Sequence, residues 1–600
     1  MKPAKAPPRK PRFRDNLVPL RADHSGHQLA GWQPSAKAME GLGCQILADQ
    51  RVPVAPDVAL AADVYLPRKA GRYPAILAFG AYTKELHSAG VPAGTNEVGC
   101  PPVFTDRGYA HVIVTRRGMG QSDGTFDVFF NDQEVSDHEA TIAWVAAQPW
   151  CNGEVVMYGT SYYGCVQANV AVRQPPALKA FFTHEMCTDY FRHIAMYGGT
   201  PNNEFLSLWL GSNFTDQVIG LRVPPLTRAL VSQVLNSPLK KFWWPRFKKM
   251  IRKIMVNFTT KTPTLEARRV FANFLIDGKT RASNRMPAGP YASLDRIDVP
   301  FVVVQNEAMW NLHQFGSYDL WQHASTPPDR KWLIIGEASY QLPAYEWQQE
   351  ALAFFDHVLR NTPNGYVDQP HVRYWLKGAD RFQGDDAFPA TGAVRRRLYL
   401  QQRGDDRDMH ALATEAPANG ATSWAAVPLG AITTGGFDDV ANQTLSFAWL
   451  AAQDTEFAGA VTARLRFSCN EIDSHVVARL SHVSAAGAET LLSMGMIRPA
   501  RRRLDPSRGS RCEIAMDTDV VEPLVPGEPV TLEFSLTPAP VLVRQGEQLR
   551  LSVASRTDLL RSDQSHDHAH FDCQVPPYFS RNTIHCGEDS YVELDEVKRA

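Results

Sequence analysis

No stretch of the 600-residue chain approaches the ~18 consecutive apolar residues that a membrane-spanning helix requires. Charge of either sign is not in excess: 62 Lys and Arg stand against 63 Asp and Glu, so the positive field from which nucleic-acid binding starts is missing. The nine cysteines are odd in number and include no CxxC pair, which argues against a zinc ribbon and a disulfide framework and points to a reduced, cytoplasmic setting. Glycine and proline, 40 and 42, are scattered without a period, so no fibrous class fits. The opening MKPAKAPPRKPRFRD is basic and proline-rich with no apolar core, and reads as a disordered arm over 1–45 rather than a secretory signal. What is present is an ordinary globular balance, 44% hydrophobic and 10% aromatic, in a chain long enough for two or three domains.

From about residue 73 to 360, short apolar runs such as YPAILAFG (73–80), YAHVIVT (109–115), GEVVMYG (153–159) and VPFVVVQ (299–305) alternate with helical stretches. Runs apolar on both faces suit a buried parallel sheet, so the class is α/β. The alternation breaks between about 190 and 290, where Trp, Phe and cations crowd into a segment of helical period. Within it KKFWWPRFKKMIRK (240–253) could read as a membrane-surface patch, but a lid helix with a solvated basic face is the simpler expectation. Beyond about 366, period-2 strands separated by turn residues predict an antiparallel sandwich. The expected division is therefore 46–188 with 292–365, a helical lid at 189–291, and a β-sandwich at 366–600.

The sharpest local signal is VVMYGTSYYGCVQANVA, in which a buried strand ends at Gly159, Ser161 sits on the turn and a helix begins at once. A nucleophile elbow needs small neighbours because its turn is strained and packs closely, and Gly159 and Gly164 supply them. The pattern is G-x-S-x-x-G, with Tyr163 where the simpler motif has glycine. A plain serine N-cap is the competing reading. In an elbow the Tyr162 N–H would face a developing oxyanion, and the loop AYTKE after YPAILAFG offers the Tyr82 hydroxyl as second donor.

With these residues in place, the chain resembles the CocE/NonD hydrolases, the family of cocaine esterase and X-Pro dipeptidyl-peptidase. The likeness runs through VALAADVYLP (58–67), YPAILAFGAY (73–82), RGYAHVIVTRRGMGQSDG (107–124), QPWCNGEVVMYGTSYYG (148–164) and PGEPVTLEFSLTPAPVLVRQGEQLRLSVAS (526–555). It implies an α/β-hydrolase domain with a helical lid and a C-terminal jelly roll, hydrolysis of an ester or amide through an acyl-enzyme, Ser161 as nucleophile, and Tyr82 and the Tyr162 amide as oxyanion donors. The segment HEMCTDYFRHIAMYGGTPNNEF (184–205) resembles one branch of the family, and Glu185 and Asp189, with Tyr163, are expected at the substrate pocket.

The departures from the family pattern bear on mechanism. The triad acid belongs after VPFVVVQ, yet NEAMWNLHQFG (306–316) contains only Glu307 as a carboxylate, and the histidine belongs in EASYQLPAYEW (337–347), which has none. Losing a triad base costs on the order of 10⁶ in kcat, so another group must stand in. His313 is the preferred candidate, in the turn that opens QFGSYDLWQ, and His184, just past LKAFFT, is the second. His357 is assigned to packing. The histidines of QSHDHAHFDCQ (564–574) look like metal ligands but more simply form a loop, so neither metal nor cofactor is expected. The leading expectation is a serine hydrolase acting on a small or medium ester, lactone or amide. The alternatives are a protein that reuses this pocket without triad hydrolysis and an interaction or carbohydrate-binding protein acting through the jelly roll. A small-molecule substrate is expected, without nucleic acid or membrane, and a homodimer is compatible.

Overall fold

The computed structural model describes residues 44–598, apart from 85–96, 126–127, 203–204, 207–208, 210–241, 243–278, 285, 307–311, 337–342, 407, 429–442 and 558–575. The basic stretch 240–253, nearly all of it, and Glu307 lie outside the described residues, as do all the histidines of 564–574. No described helix is long and apolar enough to cross a membrane.

The first sheet has ten strands: β1 (Gln45–Ala55), β2 (Val58–Leu66), β3 (Tyr73–Gly80), β4 (Ala110–Thr115), β5 (Cys151–Thr160), β6 (Leu178–His184), β7 (Phe301–Gln305), β8 (Lys331–Ile335), β9 (Val372–Leu376) and β10 (Arg381–Asp385). Their spatial order is β1-β2-β4-β3-β5-β6-β7-β8-β9-β10. From β4 through β9 neighbours are parallel, while the pairs at the two edges, β1 with β2, β2 with β4 and β9 with β10, are antiparallel. The sheet thus continues past residue 365, where the β-sandwich was expected to begin.

Continuous apolar runs form these strands because both faces are covered. Val155, Met157 and Phe181 point into one core, whereas Val156, Tyr158, Ala180 and Phe182 point into a second beneath helix Pro343–Arg360. That alternation is the two-residue period of a strand. Helices α1 (Pro101–Asp106), α2 (Asp132–Ala146), α3 (Tyr162–Ala171), α4 (Gly316–His323) and α5 (Pro343–Arg360) pack against the sheet. Asn131 caps α2 by accepting the Glu134 N–H at 2.8 Å.

The second sheet has twelve strands, all after residue 392, centred on the long strand Thr455–Cys469, and its pairing is antiparallel except for Met409–Ala413 beside Thr444–Leu450. Its own core gathers Leu398, Phe447, Phe467, Leu551 and Val592. Close backbone approach joins it to the first domain: the Arg498 N–H bonds the Gly198 carbonyl at 2.9 Å, and a Cβ on Gly198 would lie 2.3 Å from the Met496 carbonyl oxygen. Gly198 also has φ of 61°, so two constraints select glycine there. The class is an α/β-hydrolase domain followed by an all-β domain.

Candidate active site

Strand β5 delivers Ser161 at its C-terminal end, and α3 starts on the next residue. Ser161 has φ of 59° and ψ of −117°, a region that costs an ordinary side chain roughly 1–3 kcal/mol and persists where the surroundings enforce it. The enforcement is visible. The Ser161 N–H bonds the His184 carbonyl at 3.1 Å, and the Ser161 carbonyl accepts from Gly164 and Cys165 at 3.0 and 2.8 Å. A Cβ on Gly164 would sit 2.7 Å from both the His184 carbonyl oxygen and Thr183 Oγ1, so glycine lets α3 press onto β6.

Tyr163 explains the extended motif. Its ring covers Gly80 and its Cβ abuts Gly159, so that added Cβ atoms at those glycines would lie 2.5 Å away, and its hydroxyl donates to the Tyr82 carbonyl at 3.1 Å. This side chain, expected at the substrate pocket, is buried and buttresses the turn. Tyr162 is anchored too: its hydroxyl donates to Glu134 Oε1 at 2.5 Å and its ring stacks on Phe130 at 4.3 Å. Burial raises the Glu134 carboxyl above its ordinary value even though Arg116 lies 3.3 Å away. As first residue of α3, Tyr162 carries an N–H that no carbonyl of its own helix can satisfy, which suits an oxyanion donor.

Tyr82 sits on the loop after β3, its ring 6.4 Å from that of Tyr162. Its hydroxyl accepts the Trp209 indole N–H at 3.2 Å. A phenol that accepts one bond is polarised to donate its own proton. Trp209 also packs on Phe129 at 4.4 Å, so an aromatic wall adjoins the elbow.

The base candidates separate cleanly. Ser161 Oγ lies 3.1 Å from His313 Nε2. His313 stands between β7 and α4 with φ of 62°, its carbonyl held by Gln305 Nε2 at 2.6 Å. Burial, and then the charge of neighbouring His193, push its imidazole down to about 3, so it is neutral at ordinary pH. His184 is the correction. Thr183 faces α3, so the next side chain faces the other way, and the His184 ring packs against Tyr158 and Phe182, each at 5.2 Å. Neither of its ring nitrogens has a partner among the described residues, and burial lowers its pKa to about 3.

On the far side of His313, Nδ1 faces Cys187 Sγ at 3.4 Å, and the Cys187 N–H bonds Cys165 Sγ at 3.1 Å. Both cysteines are buried, and burial pushes the Cys187 thiol well above its ordinary value. Sequence reasoning missed this sulfur: Cys187 is 126 residues from His313, and no local motif links them.

Asp189, expected at the substrate pocket, lies among guanidinium groups. Its carboxylate accepts from Arg281 at 2.8 and 3.0 Å and from Arg508 at 2.7 Å. Burial alone would raise its pKa, but Arg192 and Arg281 hold it at about 2. Nearby, His193, Asp319 and Glu513 cluster as metal ligands do, but the cation is already there: Arg192 Nη2 lies 3.0 Å from Asp319 and 3.1 Å from Glu513. Glu185 is buried at φ of 47°, its N–H on the Val304 carbonyl at 2.8 Å.

An α/β-hydrolase sheet with a serine elbow and an all-β second domain defines the class, and sequence comparison narrows it. Residues 57–340 match the X-Pro dipeptidyl-peptidase (S15 family) and 364–592 match the X-Pro dipeptidyl-peptidase C-terminal non-catalytic domain. A Mycobacterium bovis protein carrying the name serine esterase is 24% identical over 83% of this chain and 88% of its own length. Cocaine esterase of Rhodococcus is 26% identical over 59% of this chain and 62% of its own. The CocE/NonD family hydrolase of Staphylococcus aureus superposes with a TM-score of 0.70 at 21% identity, covering 92% of this chain and 94% of that one. The chain belongs to the CocE/NonD hydrolase family.

Proposed function

We propose that this protein is a serine hydrolase that opens a small or medium ester, lactone or amide through an acyl-enzyme on Ser161. The observation that carries the reading is the 3.1 Å approach of Ser161 Oγ to His313 Nε2 at a strained elbow. In the productive tautomer Nδ1–H points at Cys187 Sγ, and Nε2 takes the proton of Ser161 as Oγ attacks the substrate carbonyl. The tetrahedral oxyanion is received by the Tyr162 amide and the Tyr82 hydroxyl. His313 then returns the proton to the leaving group, and water repeats the sequence to free the acid. The names serine esterase and cocaine esterase borne by relatives support the ester class. The eight described cysteines, all unpaired, support a cytoplasmic setting.

A second reading has an observation of its own. No carboxylate is bonded to His313 Nδ1 among the described residues, and the thiol in that place is held neutral, so the pocket could serve a reaction that needs no strong base. Labelling with a fluorophosphonate decides between them. Rapid modification of wild type, abolished in Ser161→Ala and slowed in His313→Ala, is expected of the hydrolase. Equal labelling of wild type and Ser161→Ala would remove Ser161 from the mechanism.

A further inference from the structure

We propose that Cys165, Cys187 and His313 form a binding site for one soft divalent cation, such as Zn²⁺ or Cd²⁺, whose occupancy switches off Ser161. The three ligand atoms lie within 4.8 Å of one another, and all three residues are buried. A tetrahedral ion with metal–sulfur bonds of about 2.3 Å and a metal–nitrogen bond of about 2.0 Å sets sulfur and nitrogen about 3.5 Å apart. Cys187 Sγ and His313 Nδ1 are already 3.4 Å apart, so that edge of the tetrahedron exists before an ion arrives. The Cys187 N–H on Cys165 Sγ, at 3.1 Å, is a donor to a sulfur that would become anionic, the outer support that ligating groups ordinarily have.

Charge favours the arrangement. Binding exchanges two thiol protons, released to solvent, for one divalent ion, so two thiolates, a neutral imidazole and the cation make a site with no net charge. A neutral assembly suits surroundings where an isolated ion would be costly. The fourth position is left to water or to an added ligand. The other cluster of metal-ligand type, His193, Asp319 and Glu513, is satisfied by Arg192 and makes no such offer.

The consequence for Ser161 comes from the tautomer. A metal on Nδ1 takes that nitrogen's lone pair, so the remaining ring proton must sit on Nε2, facing Ser161 Oγ. Nε2 can then donate to the serine but cannot receive its proton. A triad held in the wrong tautomer loses on the order of 10⁴ in kcat. This switch rests on the hydrolase reading, whereas the binding site itself does not.

The test uses the full chain, reduced and stripped with a chelator, then titrated with Zn²⁺ in weak buffer. Expected are about one zinc per chain after desalting, about two protons released per ion, and fluorophosphonate labelling slowed on the order of 10²-fold or more and restored by chelator. Cd²⁺ should add thiolate-to-metal charge-transfer absorption. Cys165→Ala, or Cys165→Ser should the alanine variant fail to fold, should lose the zinc, and its own labelling rate should not change when Zn²⁺ is added. No stoichiometric zinc, or zinc retained by both Cys165 variants, overturns the site. Zinc bound at Cys165 without slowed labelling overturns the switch. A stripped wild type that never labels refutes the hydrolase reading, while the zinc stoichiometry and cadmium absorption still decide the site.

Discussion

Replacing Cys187 by Asp should make the protein a faster hydrolase. On the proposed mechanism His313 becomes an imidazolium in the transition state, and the group 3.4 Å from its Nδ1 is a thiol held neutral by burial. A carboxylate there would lie about 4 Å from the imidazolium centre, an attraction of about 4 kcal/mol at an effective dielectric of about 20. That gross figure corresponds to about 10³ in rate, and desolvation of the new carboxylate opposes it, so a rise of roughly 10- to 10³-fold is expected. The control is Cys187→Asn, which has the same shape without the charge. The assay is kcat on a chromogenic short-chain ester with chelator present, alongside near-ultraviolet circular dichroism and Tm to establish folding. A folded Cys187→Asp whose kcat is no greater than that of Cys187→Asn would refute the reasoning. If the Asp variant does not fold, Cys187→Ala tests the same contact, because losing a hydrogen bond of about 1 kcal/mol should lower kcat about fivefold.

Three further outcomes follow from the same geometry. Tyr82→Phe removes one oxyanion donor and should lower kcat by about 10² to 10³ with KM little changed, measured by steady-state kinetics. Gly164→Ala drives a Cβ to 2.7 Å from the His184 carbonyl oxygen, so it should lower stability by roughly 1–3 kcal/mol and cut activity further by displacing the elbow, read by denaturant melts and kcat together. Asp189 is held at about 2, below its unfolded 3.8; its contribution of roughly 2 kcal/mol is present above pH 4 and lost as pH falls toward 2, so Asp189→Asn should flatten stability against pH in that window.

The elbow was legible in the sequence because its causes are local. A buried strand, a serine between glycines and an immediate helix lie within about ten residues, and each glycine answers a steric demand nearby. The parallel sheet was legible for a similar reason, since continuous apolar runs are what two covered faces require. Its far edge was not: β9 and β10 are five-residue strands with no helix between them, so they read with the strand-only region that follows. The surroundings of Tyr163 and Asp189 were not legible, because type and position do not say which way a side chain turns. Tyr163 turned onto Gly80 and Gly159, and Asp189 turned to Arg281 and Arg508, the latter 319 residues away. His184 was misplaced by one step of strand alternation, which carries its ring to the opposite face while leaving its carbonyl on the Ser161 N–H.

The position of His313 follows from the topology rather than from any motif. Strands β5, β6 and β7 are parallel neighbours whose C-terminal ends lie level, with Thr160 paired to His184 and His184 to Val304. The loops leaving these three ends therefore converge, and a side chain from either of the later two can reach Ser161. In the family pattern the loop after β7 carries the acid; here it carries the imidazole, and the loop after β6 supplies the sulfur behind it. On the proposed mechanism the relay has moved one strand closer to Ser161. What it lacks is a negative charge behind the imidazole, and the nearby carboxylates Asp189, Asp319 and Glu513 cannot supply one, because Arg192, Arg281 and Arg508 already neutralise them. On that mechanism the geometry lets His313 take the proton, the missing charge limits how readily it does so, and a carboxylate at residue 187 adds that charge without moving the serine.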